Sequence, residues 1–216
     1  MMAMGRNDTP PASEIAAGIL DRVCAMLLAE EARFNALDRA IGDGDHGHNL
    51  SRAARGLAEI RDEIARMPID EMMMQAGKCV VMSVGGASGP LYGTLLLEIG
   101  KTLPLLPERA DWAEAFTAGV AAVGRRGRSA EGDKTMLDVL SPAAAAFEQD
   151  QGDLASAISA MVEAAKTGLE KARPLRAARG RAAFVGERSE GHDDPGAVSS
   201  LMCITTVAEA LQERIS

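Results

Sequence analysis

The chain has 216 residues, of which 47% are hydrophobic and 25% charged, and this balance predicts a folded globular protein rather than a disordered one. Its formal net charge of −8 argues against a nucleic-acid partner, which requires a basic face. No apolar run approaches the roughly 20 residues that a membrane-spanning helix needs, so we expect no membrane insertion.

The first residues, MMAMGRNDTPPASE, lack the apolar core of a signal peptide. We therefore expect a flexible leader over residues 1–12, followed by one helical domain over residues 13–216. Cys24, Cys79 and Cys203 lie far apart in apolar segments, which indicates free thiols in a reducing cytoplasm and gives no support to a zinc site.

Apolar content comes mainly from Ala, Leu, Val, Ile and Met, a mixture that favours helices. Ser13 and Asp70 are predicted to cap the first and third helices. Apolar residues recur at helical spacing in eight segments. These segments run over about residues 13–33, 49–66, 70–83, 91–103, 109–123, 134–147, 153–172 and 197–214.

Eight amphipathic helices with short connections predict an all-α fold, an up-and-down antiparallel barrel or bundle. The stretch VVMSVG could also form a strand, but it lies inside a longer helical pattern. The chemically unusual residues fall between the predicted helices, in four loops that a barrel could bring to one end.

The first loop, LDRAIGDGDHGHNL at residues 37–50, carries Asp38, Asp43 and Asp45 among glycines. Carboxylates this close repel one another unless a cation lies between them, and oxygen ligands suit Mg²⁺ or Ca²⁺ better than zinc. Neither possible register places both the glycine and the acidic residue that an EF-hand loop requires. A solvated turn that caps the next helix is the alternative, and it explains each aspartate separately better than all three together.

The other three loops combine glycines with polar or basic side chains immediately before a predicted helix. The glycines of VGGASGPLYGT allow backbone N–H groups to approach an anion at a helix N-terminus, although a plain tight turn would look similar. GRRGRSAEGDKTMLD, taken by itself, favours a surface loop with an aspartate cap. GRAAFVGERSEGHDDPGAVSS is long for a connection in a compact domain, which favours a functional role.

All three histidines lie in the first and last of these loops. Carboxylates that hold Mg²⁺, backbone N–H donors and an arginine are the groups needed to bind a nucleotide's phosphates and neutralise charge during phosphoryl transfer. No arrangement of a protein nucleophile is indicated, so any catalysis is expected to be metal-assisted.

Four ordered segments resemble one family closely, the nucleotide-binding L subunits of dihydroxyacetone kinases. The segments are LDRAIGDGDHGHN, SVGGASGPLYGT, GDKTMLDVL and GRAAFVGERSEGHDDPGA. The resemblance covers nearly the whole chain after the leader. It implies an eight-helix barrel that binds ADP or ATP with two Mg²⁺ ions in the loops at one end.

The resemblance assigns the metal ligands to Asp38, Asp43 and Asp45. It assigns the nucleotide contacts to residues of all four loops, with Met136 suited to the adenine ring. These contacts are His46, Gly47, His48, Asn49, Ala87, Ser88, Gly127, Met136, Arg181, Asp194, Pro195 and Gly196.

The resemblance also implies a phosphotransferase that delivers its phosphoryl group to a short ketose on a separate, dihydroxyacetone-binding K subunit. The phosphoryl donor is either a phosphohistidine-carrying subunit of the phosphotransferase system or exchanging ATP. The sugar, the permanence of bound ADP and the oligomeric state, monomer or homodimer, stay open. A nucleotide-responsive adaptor without chemistry of its own is the alternative function.

Overall fold

The computed structural model describes residues 11–215, and every regular element in that range is helical. Helix α4 includes Val80 to Ser83, so the helical interpretation of VVMSVG is confirmed and the strand is excluded. A 3₁₀ segment, Arg181–Ser189, lies between the last two α-helices. The α-helices are α1 Pro11–Ala29, α2 Glu31–Ile41, α3 His46–Ile64, α4 Ile69–Ser83, α5 Ser88–Thr102, α6 Arg109–Gly127, α7 Leu137–Gln149, α8 Leu154–Ala172 and α9 Pro195–Ile215.

The first ten residues of the predicted leader lie outside the described range, and α1 begins at Pro11. Within the described range, no helix is both long enough and apolar enough to cross a membrane.

Eight of the nine α-helices in residues 11–215 form a closed ring. Proceeding from α1 through α3 and on to α9, each helix packs against the next, and α9 packs against α1. Short connections between successive helices from α3 to α8 make these neighbours antiparallel. The longer segments after α1 and α8 give the same order, because Ser13 near the start of α1 contacts Met67 after α3, and Gln212 near the end of α9 contacts Ser159 near the start of α8. The predicted eight-helix up-and-down barrel is therefore confirmed. Helix α2 is an additional element outside the ring, packed against α3, α9 and the 3₁₀ segment.

Helix α2 is the one α-helix that the periodicity did not predict. Its buried residues Phe34, Asp38 and Ile41 follow helical spacing, but the middle position is a carboxylate. A charged residue in the buried stripe interrupts the apolar pattern on which the prediction depends. The expectation that the unusual residues lie between helices was therefore wrong for Asp38, which is in the last turn of α2, and for His46 and His48, which are in the first turn of α3.

Two predicted helix caps were also wrong. Ser13 is the third residue of α1 and fully buried, and its hydroxyl donates to the carbonyl oxygen of Met67 at 2.6 Å. It therefore ties α1 to the connection between α3 and α4. Asp70 is the second residue of α4, whose N-cap is Pro68 and has no side-chain capping bond.

The alternation of helix direction decides where the four loops lie. In the ring, α3, α5, α7 and α9 begin at the end where α1, α4, α6 and α8 finish, because consecutive ring helices are antiparallel. The segments that precede these four helix starts are those with the unusual residues. Four helix N-termini with their free N–H groups and positive dipole ends thus share one end of the barrel.

Candidate functional site

The three aspartates of the first loop form an acidic cluster at this end. One carboxylate oxygen of each residue can be chosen so that all three lie within 4.8 Å of one another. Asp38 is buried, Asp45 is half-buried just before α3, and Asp43 is exposed. An all-oxygen set of this kind is the donor chemistry that Mg²⁺ prefers, so the residues fit a divalent cation.

Asp38 also organises the loop that carries the other two aspartates. Its Oδ2 accepts hydrogen bonds from the backbone N–H groups of Gly44 at 2.8 Å, Asp45 at 2.8 Å and His46 at 3.2 Å. Gly44 has φ 82°, a conformation that favours glycine. Because Oδ2 is engaged in this way, Oδ1 is the oxygen of Asp38 that is available to a cation.

The last loop reaches the acidic cluster through Arg181. This residue is the first of the 3₁₀ segment, and its guanidinium forms an ion pair with the carboxylate of Asp43. The contact places a cationic side chain beside the carboxylates, at the position where a bound anion would need a further positive group.

His46 joins three of the loops. Its ring is buried, with Nδ1 3.1 Å from the Ser88 hydroxyl and Nε2 2.9 Å from the Ser199 hydroxyl. Phe34 packs edge-on against it, with 6.0 Å between the ring centroids. Burial lowers the pKa of His46, although the charges of Asp38 and Asp45 oppose that effect.

The remaining predicted residues of α3 differ in where they lie. The Asn49 side chain is beside the second loop, since a Cβ added at Gly86 would be 3.5 Å from its Nδ2. Gly47 packs against the backbone of Glu31 in α2. The exposed His48 ring also faces α2, with Nδ1 3.7 Å from a carboxylate oxygen of Glu31, so its side chain is not part of the group around Ser88.

The predicted residues of the third and fourth loops meet across the starts of α7 and α9. Met136 is buried just before α7, and a Cβ added at Gly196 would lie 3.6 Å from the Met136 Cβ. Asp194 accepts a hydrogen bond from the N–H of Ala197 at 2.8 Å and so caps α9. Burial raises the pKa of Asp194 to about 7. Gly127 ends α6, where an added Cβ would lie 3.4 Å from a methyl group of Leu91.

An open groove of about 350 Å³ lies between α6 and α7, beside the third loop. Its lining is mainly apolar and includes Gly124, Ala130 and Leu137, the residue that follows Met136. A planar, largely apolar group could be accommodated there.

Two residues of the GDKTMLD motif have roles in the loop that the sequence did not reveal. Asp138 is buried and accepts hydrogen bonds from the N–H groups of Gly132 and Thr135, both at 2.7 Å. Lys134 is buried with φ 58°, and its Nζ donates to the carbonyl oxygen of Arg173 at 2.5 Å. Asp138 holds the third loop against the start of α7, and Lys134 holds it against the end of α8. The motif itself was visible, but no periodicity or charge pattern indicated these partners.

Comparison with protein families identifies this architecture and its motifs. The model of the DAK2 domain matches residues 40–209. The ADP-binding subunit DhaL of PEP-dependent dihydroxyacetone kinase 1 from Listeria innocua is 45% identical over 77% of the chain and 80% of its own length. Triokinase/FMN cyclase from Homo sapiens is 34% identical over 93% of the chain, which spans only 36% of that protein.

Solved structures show the same fold. The chain is similar to dihydroxyacetone kinase of C. freundii with a TM-score of 0.74 and 29% identity, covering 97% of this chain and 37% of that one. The same kinase in complex with AMP-PNP and Mg²⁺ gives a TM-score of 0.73 at 26% identity. The chain therefore matches bacterial ADP-binding subunits over most of their length and the longer kinases over about a third.

Proposed function

The chain belongs to the DAK2 domain family, and on this premise we propose that it is the nucleotide-binding phosphotransfer subunit of a dihydroxyacetone kinase. The observation that carries the proposal is the acidic cluster of Asp38, Asp43 and Asp45, with Arg181 beside it, at the end of the barrel where four helix N-termini meet. Carboxylates for a cation and N–H groups for an anion then lie at one place, as a metal-bound phosphate chain requires.

The proposed metal ligands are the three aspartates, which would hold two Mg²⁺ ions. Bound Mg²⁺ supplies charge neutralisation and alignment of the β- and γ-phosphates. The protein's own contribution is geometric. Asp38 fixes the loop through three N–H groups, and the ion pair with Arg181 orients Asp43.

The proposed nucleotide contacts are distributed over the four helix starts. Backbone N–H groups at the starts of α3, α5 and α9 would bind the phosphates, with Arg181 adding positive charge. Met136 and the groove beside Leu137 would contact the adenine ring. The full set proposed for the nucleotide is His46, Gly47, His48, Asn49, Ala87, Ser88, Gly127, Met136, Arg181, Asp194, Pro195 and Gly196.

The acceptor is proposed to be a short ketose held by a separate sugar-binding subunit, to which this end of the barrel would present the phosphoryl group. A phosphohistidine protein of the phosphotransferase system is the proposed donor, in keeping with the PEP-dependent and PTS-dependent relatives from Listeria innocua, Escherichia coli and Lactococcus lactis. Three free cysteines, Cys24, Cys79 and Cys203, support a cytoplasmic location.

The decisive test compares Asp43→Asn with a matched control, Asp62→Asn, on the exposed surface of α3. We expect the first variant to lose phosphoryl transfer to dihydroxyacetone in the presence of the sugar-binding subunit, with an unchanged circular dichroism spectrum. The control should retain full transfer. Full activity in Asp43→Asn would overturn the metal assignment, and failure of the unaltered protein to bind ADP with Mg²⁺ would overturn the proposed function itself.

A further inference from the structure

A set of three hydroxyl groups lies on the Nε2 side of the His46 ring. The Ser199 hydroxyl is 2.9 Å from Nε2, and the Tyr92 hydroxyl is 2.7 Å from Ser199 and 2.9 Å from Ser200. Ser199 and Ser200 are buried in the first turns of α9, and Tyr92 reaches them from α5. None of these three residues belongs to the proposed ligand contacts.

Each hydroxyl carries one proton, and this limits the hydrogen bonds that the three groups can make. The Gly196 carbonyl oxygen can only accept, and both Ser199 at 3.1 Å and Tyr92 at 3.3 Å can donate to it. If Ser199 donates to Gly196, Tyr92 donates to Ser199, and if Tyr92 donates to Gly196, Ser199 donates to Tyr92. In both cases the Ser199 proton is used, so the 2.9 Å contact to His46 is made only if Nε2 carries the hydrogen. Without a hydrogen on Nε2, the ring nitrogen would face the lone pairs of the Ser199 oxygen, which costs free energy in a buried position.

We propose that Tyr92, Ser199 and Ser200 are positioning residues that hold His46 as the Nε2–H tautomer, so that Nδ1 accepts the hydrogen bond from Ser88. The consequence for ligands rests on the proposed function. Ser88 is the first residue of α5, and its hydroxyl would donate to Nδ1 across 3.1 Å. This bond would hold the starts of α3, α5 and α9 in one relative position around the phosphates.

The tautomer can be measured directly by ¹⁵N NMR of the histidine ring nitrogens at pH 8, where a neutral ring shows which nitrogen carries hydrogen. His46→Asn identifies the signals of His46 among the three histidines. We expect Nε2–H in the unaltered protein and a loss of that preference in Ser199→Ala. Thr205→Val is the matched control, because it removes a hydroxyl of the same helix that donates to the backbone carbonyl oxygen of Leu201, one turn earlier.

Binding of ADP with Mg²⁺ supplies the second measurement. Ser199→Ala should weaken ADP binding about tenfold, and Tyr92→Phe should weaken it about threefold. Thr205→Val should leave the affinity unchanged, even if it lowers the melting temperature as much as Ser199→Ala does. Tyr92→Phe keeps the ring volume and serves as the test if Ser199→Ala does not fold.

The proposal is overturned if the unaltered protein shows Nδ1–H, or if neither variant changes the tautomer. A protein with the expected tautomer that binds no ADP would instead contradict the proposed function alone.

Discussion

The carboxylate of Asp38 has two roles, and each involves a different oxygen atom. Oδ2 accepts three backbone N–H groups of the loop, which leaves Oδ1 available to a cation. Asp43 has only the surface ion pair with Arg181. The two aspartates should therefore respond differently to the same substitution.

We expect Asp38→Asn to lower the free energy of unfolding by about 1–2 kcal/mol in the presence of EDTA, since hydrogen bonds to a charged acceptor are lost or weakened. Asp43→Asn should change it by less than about 1 kcal/mol, because exposed ion pairs contribute little and removal of one carboxylate relieves repulsion in the cluster. Urea denaturation of both variants measures the difference. Equal losses would mean that Asp38 has no organising role.

Residue types in the candidate site were visible from the sequence, but their partners were not. Three aspartates spaced among glycines indicated a cation site on chemical grounds alone. The contacts of His46 to Ser88 and Ser199, 42 and 153 positions further along the chain, depend on which helices become neighbours. A local sequence pattern does not indicate which distant residues become neighbours in the fold.

Glycines inside the helices decide how closely α4 and α5 approach each other. A Cβ added at Gly77 would lie 2.9 Å from the carbonyl oxygen of Gly93, and one added at Gly93 would lie 2.9 Å from the carbonyl oxygen of Gly77. Backbones in contact at this point leave no space for a methyl group. In contrast, an added Cβ at Gly18 in α1 has its nearest neighbour at 3.6 Å, the end of the Arg214 side chain.

The same substitution should thus have opposite effects at two helical positions. Gly93→Ala is expected to destabilise the protein by about 1–3 kcal/mol, because the helices must separate. Gly18→Ala should stabilise it by about 0.5–1 kcal/mol, since alanine is the better helix former and ordinary space is available. Thermal and urea unfolding of both variants measures the two changes in the free energy of unfolding. A stabilising Gly93→Ala would show that α4 and α5 are not in backbone contact.

Helix boundaries were predictable where proline and glycine interrupt a regular apolar pattern, as before α4 and after α5. They were not predictable for α2, whose stripe includes the buried carboxylate of Asp38 between Phe34 and Ile41. That residue is buried because the loop's N–H groups solvate it in place of water. The helix that the pattern missed is thus the one whose buried face includes a carboxylate bonded to the following loop.

At the scale of the whole molecule, the direction of the helices brings the loops together. An up-and-down ring must place every second connection at one end, so loops separated by up to about 150 positions become neighbours once the ring closes between α9 and α1. The number of helices was enough to predict this gathering. The tilt and spacing that set distances within the site depend on close contacts such as that between Gly77 and Gly93.

A ligand held by all four helix starts should affect them together. On addition of ADP and Mg²⁺, we expect slower amide hydrogen exchange in four separate segments and no change at the opposite end. The protected segments should be residues 38–49, 85–91, 127–137 and 180–198. The connections at residues 65–68, 103–108 and 150–153 serve as internal controls within the same experiment.

The physical reason is the thermodynamic linkage between ligand binding and the local opening of each segment. Binding to the native state stabilises each segment only to the extent that its opening breaks contacts with the ligand, so segments without contacts keep their exchange rates. Asp43→Asn with Mg²⁺ and ADP should abolish the protection in all four segments at once. Protection confined to the first loop would indicate a metal site without a nucleotide, and protection at both ends would indicate general stabilisation of the barrel rather than a ligand shared by the four helix starts.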